Sequence, residues 1–263
     1  MKRLLATALV VAAAASAAFN AAGWGKHGHQ IVIAVAQRHL TDEAKQNIAR
    51  YFDYNLQKDA VWMDQHRKDE PIAYTTAWHV YNVDKNYRYD PNPRLYKGDC
   101  IMAVRNTVWT LRGYKELSDS AVVMNIRMLI HFVGDMHCPT HAYLVGPRNH
   151  WECTLPAKNF KGTFHGVYDK IPSWLYPEMK PDEVAALLDD CSASQIKKIQ
   201  KGTVEDWAAD TGEKIAPIYD INPFLTKELA PDTVERSKDM VDVQLRNAGY
   251  RLARLLNELF AGK

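Results

Sequence analysis

The chain has 263 residues, with 33 lysines and arginines against 31 acids. Two of the basic residues, Lys2 and Arg3, lie in a leading segment without acids; taking them from 33 leaves 31 opposite 31 over residues 24–263. That balance excludes a protein that grips nucleic acid by bulk phosphate neutralisation, which calls for a basic excess, so any hold on phosphate has to be local.

The leading segment runs from Met1-Lys2-Arg3 through an uncharged stretch, Leu4 to Ala18, to small residues ending at Gly23. These are the basic, apolar and small-residue regions of a secretory signal peptide. The apolar run is too short and too alanine-rich for a membrane span. The expected plan is a signal peptide over 1–23 and one domain over 24–263, with export to the periplasm or the medium and no transmembrane segment after cleavage. A cut after Gly23 makes Trp24 the new N-terminus; cuts after Ala21 or Ala22 satisfy the same rule. Export makes disulfides expected among Cys100, Cys138, Cys153 and Cys191, with three connectivities open. None forms a Cys-x-x-Cys pair, so thiolate zinc sites are not expected; Cys138, inside the His/Asp stretch, reads as half of a disulfide ahead of the alternative that it is a ligand.

In chain order, His29 to Leu40 reads as an inward-packed helix. Thr41 caps a second helix, with Asp42 and Glu43 favourably placed in its first turn. A short helix around Trp62 ends near Arg67. Residues 74–90 are irregular and rich in tyrosine, and Pro91-Asn92-Pro93 marks a loop. A helix from Asp99 to about Lys115 carries the stripe Ile101, Val104, Val108 and Leu111. The apolar run from Val122 to Ile130 continues as a buried helix through His131 and Asp135, until Pro139 interrupts it. Residues 142–164 show no periodicity, and loops of that length are usually functional. Helices follow over 181–189, 194–201 and 204–219, the last capped by Thr203 with Glu205 and Asp206 in its first turn. A final amphipathic helix over 233–260 has Val241, Leu245, Ala248, Leu252, Leu255 and Leu259 on its core face. Strand signals are few and no repeat or linker divides the chain. The expected fold class is all-α, one compact multi-helix domain.

The chemistry concentrates in the stretch from His131 to His141 and in a later pair, His165 and Asp169. Residues four apart on a helix share a face, with Cβ atoms about 5–6 Å apart. His131 with Asp135, and His165 with Asp169, therefore each aim an imidazole and a carboxylate at one point. His141, just past the break at Pro139, can turn toward the same centre. A single such pair is ordinarily a structural hydrogen bond. Two pairs with a histidine between them favour a shared partner, because an unpaired buried polar group costs about 1–3 kcal/mol. Zinc takes histidine nitrogen and carboxylate oxygen. His27 and His39 read as ordinary helix or loop residues, and His66 and His150 as solvent-facing or substrate-adjacent. His137 competes with His141 as a ligand. Tyr74, Tyr81 and Tyr143 are candidates for stacking bases.

Together with Trp24-Gly25 and His29, Trp62-x-Asp64-x-x-Arg67, Trp78-His79, Trp207-Ala208 and the run from Ala248 to Ala253, these blocks closely resemble the secreted S1/P1 nuclease family, which is related to the zinc-dependent phospholipases C. The resemblance spans the mature chain in order. It implies a helical fold with three zinc ions in one cleft. Asp64, His79, His131 and Asp135 would hold one ion, and His141, His165 and Asp169 a second. The amine and carbonyl of Trp24 would hold the third with His29 and Asp135, so Asp135 would bridge two. It also places position 137 outside the metal shell. Asp64 and Arg67 are the expected catalytic residues, with Arg67, Tyr81, Asn82 and Tyr143 toward the substrate. The implied activity is hydrolysis of single-stranded DNA or RNA to 5′-phosphorylated products, with 3′-nucleotides as further substrates and no stable protein partner. A zinc-dependent phospholipase C and a non-catalytic zinc-binding protein are the alternatives. Val80 and Asn82 stand where the nuclease branch has an aromatic and an acid, and Gly146-Pro147-Arg148-Asn149 replaces the usual glycine-asparagine run. Base recognition is therefore expected to differ, while the spacing of the last ligands favours the nuclease branch.

Overall fold

A computed structural model describes residues 24–52, 55–144, 151–214, 216–218 and 227–261. The expected signal peptide, the run from Gly146 to Asn149 and His150 lie outside the described residues. Helix α1 (Lys26–Arg38) is the axis of the fold. Gly28, His29 and every residue from Ile31 to Ala36 are buried, so it is enclosed on all sides. The long C-terminal helix α10 (Thr233–Phe260) packs along it, and α5 (Asp119–Met136), α6 (Phe164–Leu175) and α7 (Pro181–Leu188) close the remaining sides. The axes of α1 and α10 approach so closely that a Cβ on Gly249 would lie 2.4 Å from Val35. The expected core face of α10 is buried at all six positions from Val241 to Leu259.

Local chemistry sets the helix starts. Thr41 accepts a hydrogen bond from the Ala44 amide at the head of α2 (Asp42–Ala49), and Asp99 does the same from Met102 for α4 (Cys100–Leu111). Ser118 caps α5 and Thr163 caps α6. In α4, Thr107 joins Ile101, Val104 and Leu111 in the core, leaving Val108 half-buried. Helix α5 ends at Met136, before Pro139 opens a short 3-10 turn, Pro139–His141. The short helix α3 (Trp62–His66) sits beside α5, with Arg127 reaching over the Trp62 ring to Asp59. Helices α8 (Ala193–Gln200) and α9 (Val204–Gly212) complete the domain, α9 ending earlier than its expected limit at 219.

Two features depart from expectation. The described part of residues 142–164, read as a loop, holds three strands. Strand β2 (Ala142–Leu144) pairs in parallel with β1 (Tyr81–Val83), in the register Tyr81↔Ala142 and Asn82↔Tyr143. Strands β3 (Glu152–Leu155) and β4 (Phe160–Thr163) form an antiparallel hairpin turned by Asn159 at φ 48°. Strands of three or four residues are too short for a two-residue period to stand out. The disulfide expectation is also corrected, since all four cysteines are free thiols. Their sulfurs are engaged separately: Cys100 Sγ donates to Phe132 O, Cys138 Sγ lies 3.4 Å from Thr140 Oγ1, Cys191 Sγ contacts Asp190, and Cys153 is buried in the hairpin. Among the described residues no helix is long and apolar enough to cross a membrane.

Candidate metal centre

Six elements deliver polar groups to one buried cleft. Helix α1 presents His29 and α3 presents Asp64. The 3-10 helix Ala73–His79 ends on His79, α5 carries His131 and Asp135, the Pro139–His141 turn ends on His141, and α6 supplies His165 and Asp169. The β1–β2 pairing sets the ends at His79 and His141 side by side, and His141 Nδ1 donates to the His79 carbonyl at 2.5 Å.

Asp135 is the hub. Its Oδ1 lies 3.3 Å from His29 Nε2 and 3.7 Å from His141 Nδ1. Its Oδ2 lies 3.0 Å from His79 Nδ1 and 3.3 Å from His131 Nε2. Asp64 Oδ1 stands 3.6 Å from His79 and 3.7 Å from His131. On the α6 side, Asp169 Oδ1 is 3.7 Å from His141 Nε2 and Asp169 Oδ2 is 3.7 Å from His165 Nε2. The imidazoles stack in pairs, His29 on His131 at 4.2 Å and His141 on His165 at 4.4 Å. Trp24 is wholly buried beside them, tied in by the Gly25 amide, which donates to the Asp169 carbonyl at 2.7 Å.

The donor atoms converge in three groups: His29, His131 and Asp135; Asp64, His79 and His131; and Cys138, His141 and Asp169. Their outer contacts orient the rings. His131 Nδ1 donates to the Ala60 carbonyl at 2.9 Å, and His141 Nδ1 to His79 as above, so each turns an Nε2 lone pair into the cleft. Inside the cleft, both nitrogens of His29, both oxygens of Asp64, His79 Nε2, Asp135 Oδ1, His141 Nε2 and Asp169 Oδ1 are buried without hydrogen-bond partners. At about 1–3 kcal/mol for each unmet group, so many in one place require a ligand. The donors are imidazole nitrogens and carboxylate oxygens, and they fit zinc.

The electrostatics agree. Burial would lower His131, yet Asp135 and Asp64 outweigh it and push the imidazole up to about 9. Burial would raise Asp135, but His131 and His141 hold it well below the usual carboxylate range. Asp169 is pushed well above that range by burial and by Asp64 and Asp135. Three carboxyl groups facing one another in a buried cleft repel as they ionise, and a bound cation would relieve that repulsion.

The sequence model of the S1/P1 nuclease family matches residues 24–261. The chain belongs to this family. Nuclease P1 of Penicillium citrinum is 26% identical to it over 275 residues, covering 90% of this chain and 97% of the relative. Endonuclease 2 of Arabidopsis thaliana is 24% identical with 93% of each chain covered, and nuclease S1 of Aspergillus oryzae 21% with 98% of each. As an S1/P1 nuclease the protein is a hydrolase acting on phosphodiester bonds.

The other expected residues of this S1/P1 nuclease divide. Arg67 is buried at the end of α3, near enough for its charge to act on Asp169. Tyr143 lies edge-on to His165 with the Arg94 guanidinium over its ring. Asn82 accepts from Arg94 Nε at 2.9 Å and donates to the Tyr143 carbonyl, so its amide braces the β1–β2 pair. Tyr81 is a correction. It is fully buried, with its hydroxyl donating to the Met136 and Ala208 carbonyls, and so has no face to offer a base. His66 stacks on Trp62 and bonds the Trp62 carbonyl, away from the donor groups. His137 is tied up as well: Nδ1 donates to Val133 O at 2.7 Å, and Nε2 accepts from Arg251 at 3.0 Å. Sequence reasoning missed the Ala60 carbonyl, which no side-chain pattern encodes, and ranked a disulfide for Cys138 above the ligand role, whereas its free thiol lies in one of the donor groups.

Proposed function

We propose that this protein is an exported nuclease that holds three zinc ions and hydrolyses single-stranded DNA or RNA to 5′-phosphorylated products, 3′-nucleotides being further substrates. The observation that carries this reading is the convergence of buried, unpartnered nitrogens and carboxylate oxygens around Asp135. The names of the relatives, nucleases P1 and S1, support the nuclease branch over a phospholipase.

Asp64, His79 and His131 with Asp135 hold one ion in this reading. His141, His165 and Asp169 hold another, and His29 with Asp135 and the freed amine and carbonyl of Trp24 the third. When bound, zinc supplies Lewis-acid polarisation of phosphoryl oxygens and activates water as a nucleophile at neutral pH. Asp135, in reach of four imidazoles, offsets the repulsion between neighbouring cations. The Ala60 and His79 carbonyls hold His131 and His141 in one tautomer, with Nε2 free to donate its lone pair. Arg67 steadies the phosphoryl oxygens with its planar fork, and Tyr143 borders the cleft where an unstacked base enters. A peptide nitrogen is a poor donor to zinc. The Trp24 ligand therefore requires removal of residues 1–23, so the precursor lacks a complete third site.

The test is mass spectrometry of the purified protein for metal content and N-terminal residue, alongside turnover of single-stranded DNA, duplex DNA and phosphatidylcholine. Three zinc ions, an N-terminal tryptophan and preferred cleavage of single strands are expected. Turnover of lipid alone, or inertness with zinc bound, overturns the reading.

A further inference from the structure

Among the described residues, Cys138 belongs to the one donor group that contains a side chain beyond the expected ligands. Its Sγ, a ring nitrogen of His141 and a carboxylate oxygen of Asp169 lie within 4.8 Å of one another, and all three residues are buried. The thiol is free. Cys138 is the N-cap of the 3-10 turn that ends on His141, so one short, proline-stiffened piece of backbone carries both donors. Two further atoms point to a ligand at this spot. Asp169 Oδ1 and His141 Nε2 are buried without hydrogen-bond partners, on residues exposed by only 6% and 0%. Zinc binds sulfur at about 2.3 Å and nitrogen or oxygen at about 2.0–2.2 Å. Donors on one tetrahedral ion therefore stand about 3.5 Å apart, as His141 Nε2 and Asp169 Oδ1 nearly do at 3.7 Å, and Cys138 Sγ lies within 4.8 Å of a donor atom on each residue.

We propose that Cys138, as a thiolate, is the fourth protein ligand of the ion held by His141, His165 and Asp169. The inference rests on the zinc reading above and adds to it. On coordination the S–H bond breaks, its proton leaves to solvent and the sulfur lone pair forms the bond to the metal. A fourth protein donor would tie the ion beside α6 more firmly to the Pro139–His141 turn. A soft sulfur donor also biases this position toward zinc and against magnesium, calcium or manganese.

The experiment loads the purified metal-free protein with cobalt(II) and records its near-ultraviolet spectrum with the bound-metal count. A thiolate-to-cobalt charge-transfer band is expected in the wild type and in C153S, whose sulfur sits in the β3–β4 hairpin. The band should be absent in C138S and C138A, with the affinity of one ion weakened at least about tenfold, the lower end of what even an outer-shell partner contributes. X-ray absorption at the zinc edge of the wild-type protein provides a test that does not depend on the variants folding, with one Zn–S path of about 2.3 Å expected. Full metal loading without the band or the sulfur path overturns the inference and leaves the zinc centre standing. A band that survives in C138S does the same. Failure to take up any metal overturns both.

Discussion

Gly134 and His29 touch across the crossing of α5 and α1, and the contact admits no side chain at position 134. A Cβ built there would stand 2.5 Å from His29 Nδ1 and 2.8 Å from its Cε1. The imidazole has nowhere to retreat, being fully buried and stacked on His131. G134A is expected to displace His29 and so weaken metal binding at the proposed centre, with a loss of about 1–3 kcal/mol from overpacking. Metal counting and thermal melting check this; full loading at an unchanged Tm would show that the ring has room to move.

Removing metal should loosen the whole domain, because the donors come from elements far apart in the chain and three carboxylates would be left facing one another. A ligand that binds only the folded state stabilises it by about 2.7 kcal/mol at a hundred times its Kd. Exhaustive chelation is expected to lower Tm by several degrees, and added zinc to restore it. A Tm indifferent to chelation, with metal shown to be gone, contradicts the bracing role given to the centre.

His137 and His141 are four residues apart and should behave oppositely on substitution. H141A is expected to lose metal. H137A is expected to keep it and to unfold more easily, by about 1–3 kcal/mol, since the buried Arg251 guanidinium loses an acceptor. Burial and the Arg251 charge press the His137 imidazole down to about 3 from an ordinary 6.5. Below pH 6.5 the unfolded chain takes up a proton that the fold refuses, so this contribution to stability drains away as pH falls from 6.5 toward 3. Denaturant melts across that range should be steeper in pH for the wild type than for H137A.

Asp189 ties together three elements away from the cleft. It accepts from Arg38 Nε at 2.7 Å, pairs with His39 Nε2 at 2.8 Å and accepts from the Tyr250 hydroxyl at 2.9 Å. Burial would raise its carboxyl, but the bonds to Arg38, His39 and Tyr250 win and lower it. A depressed carboxylate stabilises above its unfolded value, and the contribution disappears as pH drops through the folded value. D189N is therefore expected to cost about 1–3 kcal/mol at neutral pH, with metal content and turnover intact and the gap to wild type closing only in strong acid. Loss of metal from D189N would mean that the joint between α1, α7 and α10 reaches the centre.

Much of the site is legible along the chain because its signals are local. His131 with Asp135 and His165 with Asp169 are one helical turn apart, and Thr41, Asp99, Ser118 and Thr163 sit at helix starts for reasons their own side chains supply. Even there, propensity misled where an element was short. The β1–β2 pair offers three residues a side, and its closure turned Tyr81 from a candidate for base stacking into a core residue.

What the linear order determined by itself was an all-α chain with two imidazole–carboxylate pairs and charges that balance over residues 24–263, because helical period, capping and composition act within a few residues. Only the tertiary structure decided that His29 reaches Asp135 from a hundred residues away, that the thiol of Cys138 is free beside His141, and that His137 turns to Arg251 instead. Those outcomes depend on how α1, α5 and α6 settle against one another in three dimensions. No repeating pattern records that packing, since it comes from the shapes of whole helix faces and the close approach a single glycine permits.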